Sequence, residues 1–245
     1  MHQKLLTFFL VLISFISFGQ RWQWSIGGGA TLFKGDMQDW ALNPSLTQMK
    51  EILPSINLEI AYQESQSFNY RAQLMIGGLQ GNSASNGWSN AALGNYNGTF
   101  RSSLVEIGLM VDYHFLDYHE GRKAINWTPY IFGGFSSFFA NPQNSLLPKV
   151  PLPPGTPNAP EVMNGSFISF AIPFGIGIKY QINPKWGIKL EGGSRKTLTD
   201  RVDGWITTGA TRSNFTTNFT DQYLHGALSI TFSIPRIYCP SEYQN

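Results

Sequence analysis

The sequence predicts an all-β fold, an eight-stranded antiparallel β-barrel that spans a membrane. The first observation is segment 167–196, which holds two alternating runs joined by Asn183-Pro184-Lys185 and so predicts two strands in a tight hairpin. The second is that bulky apolar residues share one face of each run, while the opposite face is small or charged, as in barrels that expose one surface to lipid. The third is a composition of 13% charged and 14% aromatic residues with 25 glycines, which suits a crowded interior inside an apolar surface.

The N-terminus has the pattern of a secretory signal peptide. Lys4 precedes an apolar stretch that runs to Phe18, and Ser17-Phe18-Gly19 offers a small-x-small cleavage site. We therefore expect residues 1–19 to be a signal peptide, 20–234 to form the barrel and 235–245 to be a C-terminal tail. Residues 20–245 contain no long apolar run, so an exported chain that spans a membrane must do so as a barrel.

Alternation predicts four strands in the first half of the chain. They cover residues 22–33, 55–63, a segment that begins at 68, and 98–113, with apolar side chains outward and polar ones inward. Residues 34–54 and the Gly/Asn/Ser-rich segment 80–97 are expected to be long loops, whereas 64–67 is a short turn.

The second half predicts four more strands. The fifth, at 128–140, has two apolar faces, Tyr130/Phe132/Phe138 and Ile131/Phe135/Phe139, which leaves its orientation open. The proline-rich segment 141–165 is expected to be a loop, because proline lacks the backbone N–H of a strand interior. The hairpin supplies strands six and seven, and the eighth reaches Ile234 after a Thr/Asn-rich loop at 198–221.

Connection lengths and aromatic residues predict how the barrel lies in a membrane. Long and short connections alternate, and outer-membrane barrels have short periplasmic turns and long external loops, so both termini are expected in the periplasm of a bacterial outer-membrane protein. Aromatic residues near the strand ends are expected to form interfacial girdles: Trp22, Trp24, Tyr62, Trp127, Tyr180 and Trp186.

Charged residues occur on the faces that are expected to point inward. Because eight strands leave an interior only wide enough for side chains, and because a buried charge without a partner costs several kcal/mol, these residues are expected to pair. The predicted network within the barrel consists of Glu59, Arg71, Glu106, Asp112, Lys179, Lys189, Glu191 and Arg195.

The sequence favours no catalytic, metal or nucleic-acid function. His114 and His119 lie in one connection without a ligand set at metal spacing, so a solvated turn is the favoured interpretation. His225 and Ser229 are expected inside the barrel, away from lipid substrates. A formal charge of +2 without a basic stripe does not favour nucleic acid. We expect no enzyme activity, no cofactor and no small-molecule substrate.

Cys239 is the only cysteine of the chain and lies past the last predicted strand. An intramolecular disulfide is therefore excluded, and two interpretations stay open: a free thiol of no consequence, or a tail that binds a periplasmic partner, covalently or by docking.

Several motifs in order resemble the PorG family, the outer-membrane barrels of type IX secretion systems. The match covers most of the expected mature chain, except the proline-rich segment. It rests on Gly28-Gly29-Ala30 with Phe33-Lys34-Gly35-Asp36, on Pro129-Tyr130-Ile131-Phe132-Gly133-Gly134 leading to Phe139-Ala140-Asn141-Pro142, on 172–180 (IPFGIGIKY) with Trp186 and 195–200 (RKTLTD), and on Cys239-Pro240.

The resemblance implies a non-enzymatic component of protein secretion, and of gliding motility in gliding bacteria. Members of the family associate with a periplasmic ring, made of a lipoprotein and its partner subunit, and hold it against the outer membrane. By this resemblance Cys239 contacts the ring lipoprotein, and a mixed disulfide is one form that this contact can take. The alternative is a stand-alone barrel that acts as an adhesin or stabilises the membrane, with its long loops as the binding surface.

Overall fold

The structure is a computed structural model and describes part of the chain. The described residues are 22–34, 51–65, 67–82, 96–116, 126–148, 161–162, 165–199, 202, 205–206 and 221–234. Within these ranges no helix is long and apolar enough to cross a membrane. The expected signal peptide, His119 and the tail with Cys239 lie outside the described residues.

Eight strands close into a barrel, and a separate two-stranded ladder accompanies it in the described part of the chain. The barrel order is β1-β10-β8-β7-β5-β4-β3-β2, with β2 next to β1, and every neighbouring pair is antiparallel. The predicted fold class is confirmed. The strands are β1 (Trp22–Lys34), β2 (Leu53–Gln63), β3 (Phe68–Asn82), β4 (Tyr96–His114), β5 (Trp127–Pro148), β6 (Glu161–Val162), β7 (Phe167–Gln181), β8 (Trp186–Thr197), β9 (Trp205–Ile206) and β10 (Gln222–Ser233).

The two faces of the barrel wall differ in the way the hairpin sequence predicts. Side chains alternate in and out because successive residues of a strand point to opposite faces. Outward residues such as Ile168, Ile176 and Leu109 are 68–71% exposed, whereas inward Asn57 and Asp112 are fully buried. Apolar area left in water costs about 25 cal/mol per Å², so this surface needs an apolar surrounding.

Among the described residues, outward tryptophan and tyrosine side chains collect at one end of the barrel, the end that carries the short turns and the first and last residues of the barrel strands. Ring centroids of Trp22 and Tyr62 are 5.3 Å apart, and those of Trp186 and Phe232 are 5.0 Å apart. Trp127 and Tyr180 are cross-strand partners at the same end. We call this end the aromatic rim and the opposite end the loop side.

β5 is longer than predicted, and the expectation that all of 141–165 is a loop is wrong. Residues 141–148 continue the strand and pair with β4 as far as Tyr96–Pro148, and Glu161–Val162 pairs with Trp205–Ile206 as the small β6–β9 ladder. Beyond Ala140–Phe167, β5 has a neighbour on the β4 side alone among the described residues. Prolines are tolerated on such an edge because one side of the strand makes no ladder hydrogen bonds.

The orientation of β5, which the sequence leaves open, is fixed in the structure. Tyr130, Phe132 and Phe138 point inward and are at most 5% exposed, while Phe135 and Phe139 point outward and are at least 41% exposed. Both faces are apolar because the interior of the barrel is itself partly apolar.

Asn183 stabilises the turn between β7 and β8. Its Oδ1 accepts hydrogen bonds from the backbone N–H groups of Lys185 and Trp186, each at 2.9 Å. We expect Asn183→Ala to lower the free energy of unfolding by about 1 kcal/mol, because both donors lose their side-chain acceptor. Urea unfolding in detergent micelles measures this, with Lys185→Ala as a control that keeps the acceptor; equal stability of the two variants would contradict the prediction.

Candidate functional site

The barrel places all eight residues of the predicted charge network inside. They come from five strands, β2, β3, β4, β7 and β8, and each occupies an inward position of its strand. None is more than 5% exposed. Four are acidic and four are basic, so the set carries no net charge when all eight are ionised. Buried charges at this density need close partners of opposite sign.

Arg71 is the centre of the larger cluster. Its Nη1 lies 2.6 Å from Glu191 Oε2 and 3.3 Å from Glu59 Oε2, and its Nη2 lies 3.2 Å from Asp112 Oδ1. β3, which carries Arg71, and β8, which carries Glu191, are on opposite sides of the barrel order. The Arg71–Glu191 pair therefore spans the interior, and one guanidinium connects four strands.

Two lysines complete the larger cluster. Lys189 pairs with Glu59, and its Nζ lies 3.3 Å from Glu191 Oε2. Lys179 Nζ lies 3.3 Å from Asp112 Oδ2. With Arg71 these make three cations against three carboxylates, so the cluster is neutral without bound ions. The hydroxyl of Tyr130 adds a hydrogen bond of 2.9 Å to Glu191 Oε2.

Arg195 and Glu106 form a second, smaller cluster. Arg195 Nε donates to Glu106 Oε2 at 3.1 Å, and the Tyr223 hydroxyl donates to the same oxygen at 2.5 Å. Arg195 is fully buried and its guanidinium lies 6.0 Å from the centre of the Tyr223 ring. This pair lies nearer the loop side, since Arg195 and Tyr223 are close to the loop-side ends of β8 and β10.

Aromatic rings support the cations of the larger cluster. The Arg71 guanidinium lies 5.0 Å from the centre of the Phe132 ring, and Lys179 Nζ lies 5.0 Å from the centre of the Tyr130 ring. Cations are attracted to the faces of aromatic rings, more so where water is excluded. Phe132 and Tyr130, whose direction the sequence leaves open, thus line the charged part of the interior.

Much of the loop-side half of the interior is apolar, a feature that the sequence analysis missed. Fully buried side chains from several strands pack there with Val202, which follows β8. Its signal in the sequence is a set of bulky residues at inward positions near the loop-side strand ends. The cluster consists of Phe33, Met75, Leu79, Phe100, Leu104, Phe138, Ala140, Ala171, Val202 and Tyr223.

Val202, which follows β8, packs against this apolar cluster and is held there by hydrogen bonding to Asp221. The backbone N–H of Val202 donates to Asp221 Oδ2 at 2.8 Å, and Thr197 Oγ1 donates to the Asp221 carbonyl at 2.8 Å. These bonds connect Val202 and the end of β8 with the residue that precedes β10. The interior is therefore filled by the larger charge cluster near the aromatic rim, and by apolar packing together with the Arg195–Glu106 pair nearer the loop side.

His114 and His225 are the histidines within the described ranges, and both point into the barrel. The expectation that His114 lies in a solvated turn is wrong, because β4 extends one residue further than predicted and directs His114 inward. The side chain is 1% exposed, and its ring lies 5.3 Å from that of Tyr130. His225 and Ser229 are inward on β10 but four residues apart, which is about 13 Å along a strand. In the described part of the chain no group of His, Cys, Asp and Glu could hold a metal ion.

Three solved structures are similar to this chain in fold. Neisserial surface protein A has a TM-score of 0.47 at 9% identity, covering 86% of this chain and 96% of that one. The attachment invasion locus protein Ail of Yersinia pestis has a TM-score of 0.42 at 12% identity, covering 87% and 98%. The N-terminal β-barrel domain of Pseudomonas aeruginosa OprF has a TM-score of 0.43 at 11% identity, covering 87% and 98%.

Comparison by sequence places the chain in a family without a known role. No curated protein matches it. A family model matches residues 3–241, nearly the whole chain, and is described as a domain of unknown function, DUF6089. The chain belongs to the DUF6089 family.

Proposed function

We propose that this protein is an integral barrel of the bacterial outer membrane that serves as a structural anchor and not as a pore or an enzyme. The observation that carries the proposal is the combination of an apolar outer surface with an interior filled by ion pairs and apolar side chains. Such a barrel is held by lipid and leaves no route for solutes. Its function then depends on what binds its ends.

The aromatic rim supports an orientation in which the first and last strands of the barrel begin and end on the periplasmic side. Trp22 and Ser233, the first and last residues of the barrel strands, lie at this rim together with the short turn that contains Asn183. Short turns are periplasmic in outer-membrane barrels, and aromatic girdles mark the interface. The tail after Ile234 then begins on the periplasmic side.

The sequence resemblance supports a specific partner. In this proposal the periplasmic face and the tail with Cys239 hold the lipoprotein ring of a type IX secretion system against the outer membrane. Since Cys239 is the only cysteine of the chain, any disulfide it forms is with another molecule.

Purification from detergent-solubilised membranes without reductant tests this proposal. We expect a ring lipoprotein to co-purify, to shift the barrel on a non-reducing gel, and to lose the shift on reduction or in Cys239→Ser. Truncation after Ile234 should lower retention of the partner further, whereas Ser233→Ala, inside the last strand, should leave it unchanged. Recovery of the barrel alone from cells that assemble the ring would contradict the anchor role. Full partner retention and secretion in Cys239→Ser would contradict the role of Cys239.

A second candidate is a stand-alone adhesin, favoured by the ribbon that β4 and β5 form beyond the barrel wall. Tyr96 pairs with Pro148 there, eight residues past the last pairing of β5 with β7 at Ala140. In this case deletion of residues 149–160 should abolish surface binding while truncation after Ile234 has no effect. The anchor proposal expects the reverse.

A further inference from the structure

A groove on the outward surface of the barrel crosses β1, β10, β8 and β7. It encloses about 550 Å³. Leu32, Leu224, Phe174 and Ile176 line it with apolar side chains. It lies within the apolar surface that faces lipid in the proposed function, so an apolar occupant suits it.

The floor of the groove consists of small residues on neighbouring strands. Ala30 pairs with Gly226, and Gly226 with Gly192. A Cβ added to Gly192 would meet nothing within 4 Å, and one added to Gly226 would meet its nearest atom at 3.8 Å. Neither glycine has a positive φ. Neither backbone conformation nor packing within the barrel requires glycine at these two positions, and larger residues would fill the groove.

Two lysines lie directly above the groove, on its loop side. Lys34 pairs with Gln222, and Gln222 with Lys196, so the three outward residues form one row across β1, β10 and β8. Two strand spacings place the lysine Cα atoms about 10 Å apart, and their flexible stems let both ammonium groups reach one anion. Neither lysine forms an ion pair with any other residue of the described ranges.

We propose that this groove is a binding site for one anionic lipid that carries phosphate in its headgroup, with the phosphate between Lys34 and Lys196 and an acyl chain over Gly192 and Gly226. Along the barrel axis, the two lysines lie at the loop-side border and the apolar groove lies next to them, toward the middle of the barrel. This order matches that of the headgroup and the acyl chain in a lipid. A membrane-spanning protein segment that bound in the groove would need an acidic side chain beside the two lysines. The inference rests on the proposed membrane location and adds a ligand to it.

Native mass spectrometry of the full-length protein in detergent tests the site, with phosphatidylglycerol and phosphatidylcholine as probes. A lysine near a membrane surface contributes about fivefold in affinity for an anionic lipid, and two contribute about thirtyfold. We expect Lys34→Gln with Lys196→Gln to weaken phosphatidylglycerol binding about thirtyfold and to leave phosphatidylcholine unchanged. Gly192→Leu should weaken the binding of both lipids, because the leucine side chain would occupy the place of the acyl chain.

Matched controls lie elsewhere on the barrel surface. Arg101 is an exposed cation on β4, and Gly133 is an outward glycine on β5 whose added Cβ would meet its nearest atom at 4.0 Å. Arg101→Gln and Gly133→Leu should leave the binding of both lipids unchanged. Losses in these variants equal to those at the groove would overturn the lipid site, as would no preference of the folded wild type for phosphatidylglycerol. A protein that stays folded and soluble without detergent would instead overturn the membrane proposal.

Discussion

Replacement of Arg71 by methionine is expected to destabilise the barrel by about 3–5 kcal/mol, the usual effect of removing one partner from buried ion pairs. Arg71 contacts Glu59, Asp112 and Glu191, so its loss leaves three buried carboxylates against two lysines. Methionine keeps much of the volume of the arginine side chain, so the loss of stability reports the missing charge and hydrogen bonds more than the missing packing. Unfolding by urea in detergent micelles, followed by tryptophan fluorescence and by heat-dependent gel mobility, measures the change.

Two further variants separate charge balance from the loss of one side chain. Arg101→Met removes an exposed cation from β4 and is expected to change stability by less than about 0.5 kcal/mol. Combining Arg71→Met with Glu191→Gln leaves two cations and two carboxylates, and should recover at least half of the lost stability. If the double variant is less stable than Arg71→Met alone, neutrality is not what stabilises the cluster.

The second large effect is expected at Gly134, an inward glycine of β5. A Cβ there would lie 2.7 Å from Met110 Cα and still closer to the Leu109 carbonyl oxygen, both backbone atoms of the neighbouring strand. Backbone atoms in a closed barrel cannot move aside as a flexible side chain can. We expect Gly134→Ala to cost about 3 kcal/mol, the upper end of the range for overpacking.

Gly133 provides the control one residue away. It faces outward, and its added Cβ would meet its nearest atom at 4.0 Å. Gly133→Ala should raise stability by about 0.4–1 kcal/mol, because alanine restricts the unfolded chain without strain in the folded one. The same urea titration measures both variants. We expect the free energy of unfolding to rise in Gly133→Ala and to fall in Gly134→Ala. A decrease of equal size in both variants would contradict the strand orientation.

Much of the fold follows from alternation in the sequence, since side chains repeat every two residues along a strand. This is why the inward positions of Arg71 and Glu191 are predictable from the amino-acid sequence alone. Their contact is not, because it depends on closure of the barrel, which brings opposite strands β3 and β8 across the interior. Pairing partners within a barrel are set in three dimensions, and sequence spacing carries little of that information.

β5 shows where the alternation rule fails. Its inward residues near the loop side pack in an apolar cluster, so Phe138 and Phe139 look equivalent in sequence although one is buried and the other exposed. The prolines of 141–148 also conceal a strand, because the rule against proline assumes ladder partners on both sides. Here β5 has a described neighbour on one side alone. The open orientation of β5 and the missed strand at 141–148 both arise from tertiary surroundings that the sequence does not state.

The shared contacts of Arg71 have a consequence for how this lineage can change over time. Any single replacement that changes the charge of Arg71, Glu59, Asp112 or Glu191 passes through a barrel with an unbalanced interior charge. Such positions can drift only when compensating changes arise together, which is rare. Outward positions such as Ile176 and Leu109 can exchange one apolar residue for another independently. Mutational paths in this chain are therefore narrow inside the barrel and broad on its surface.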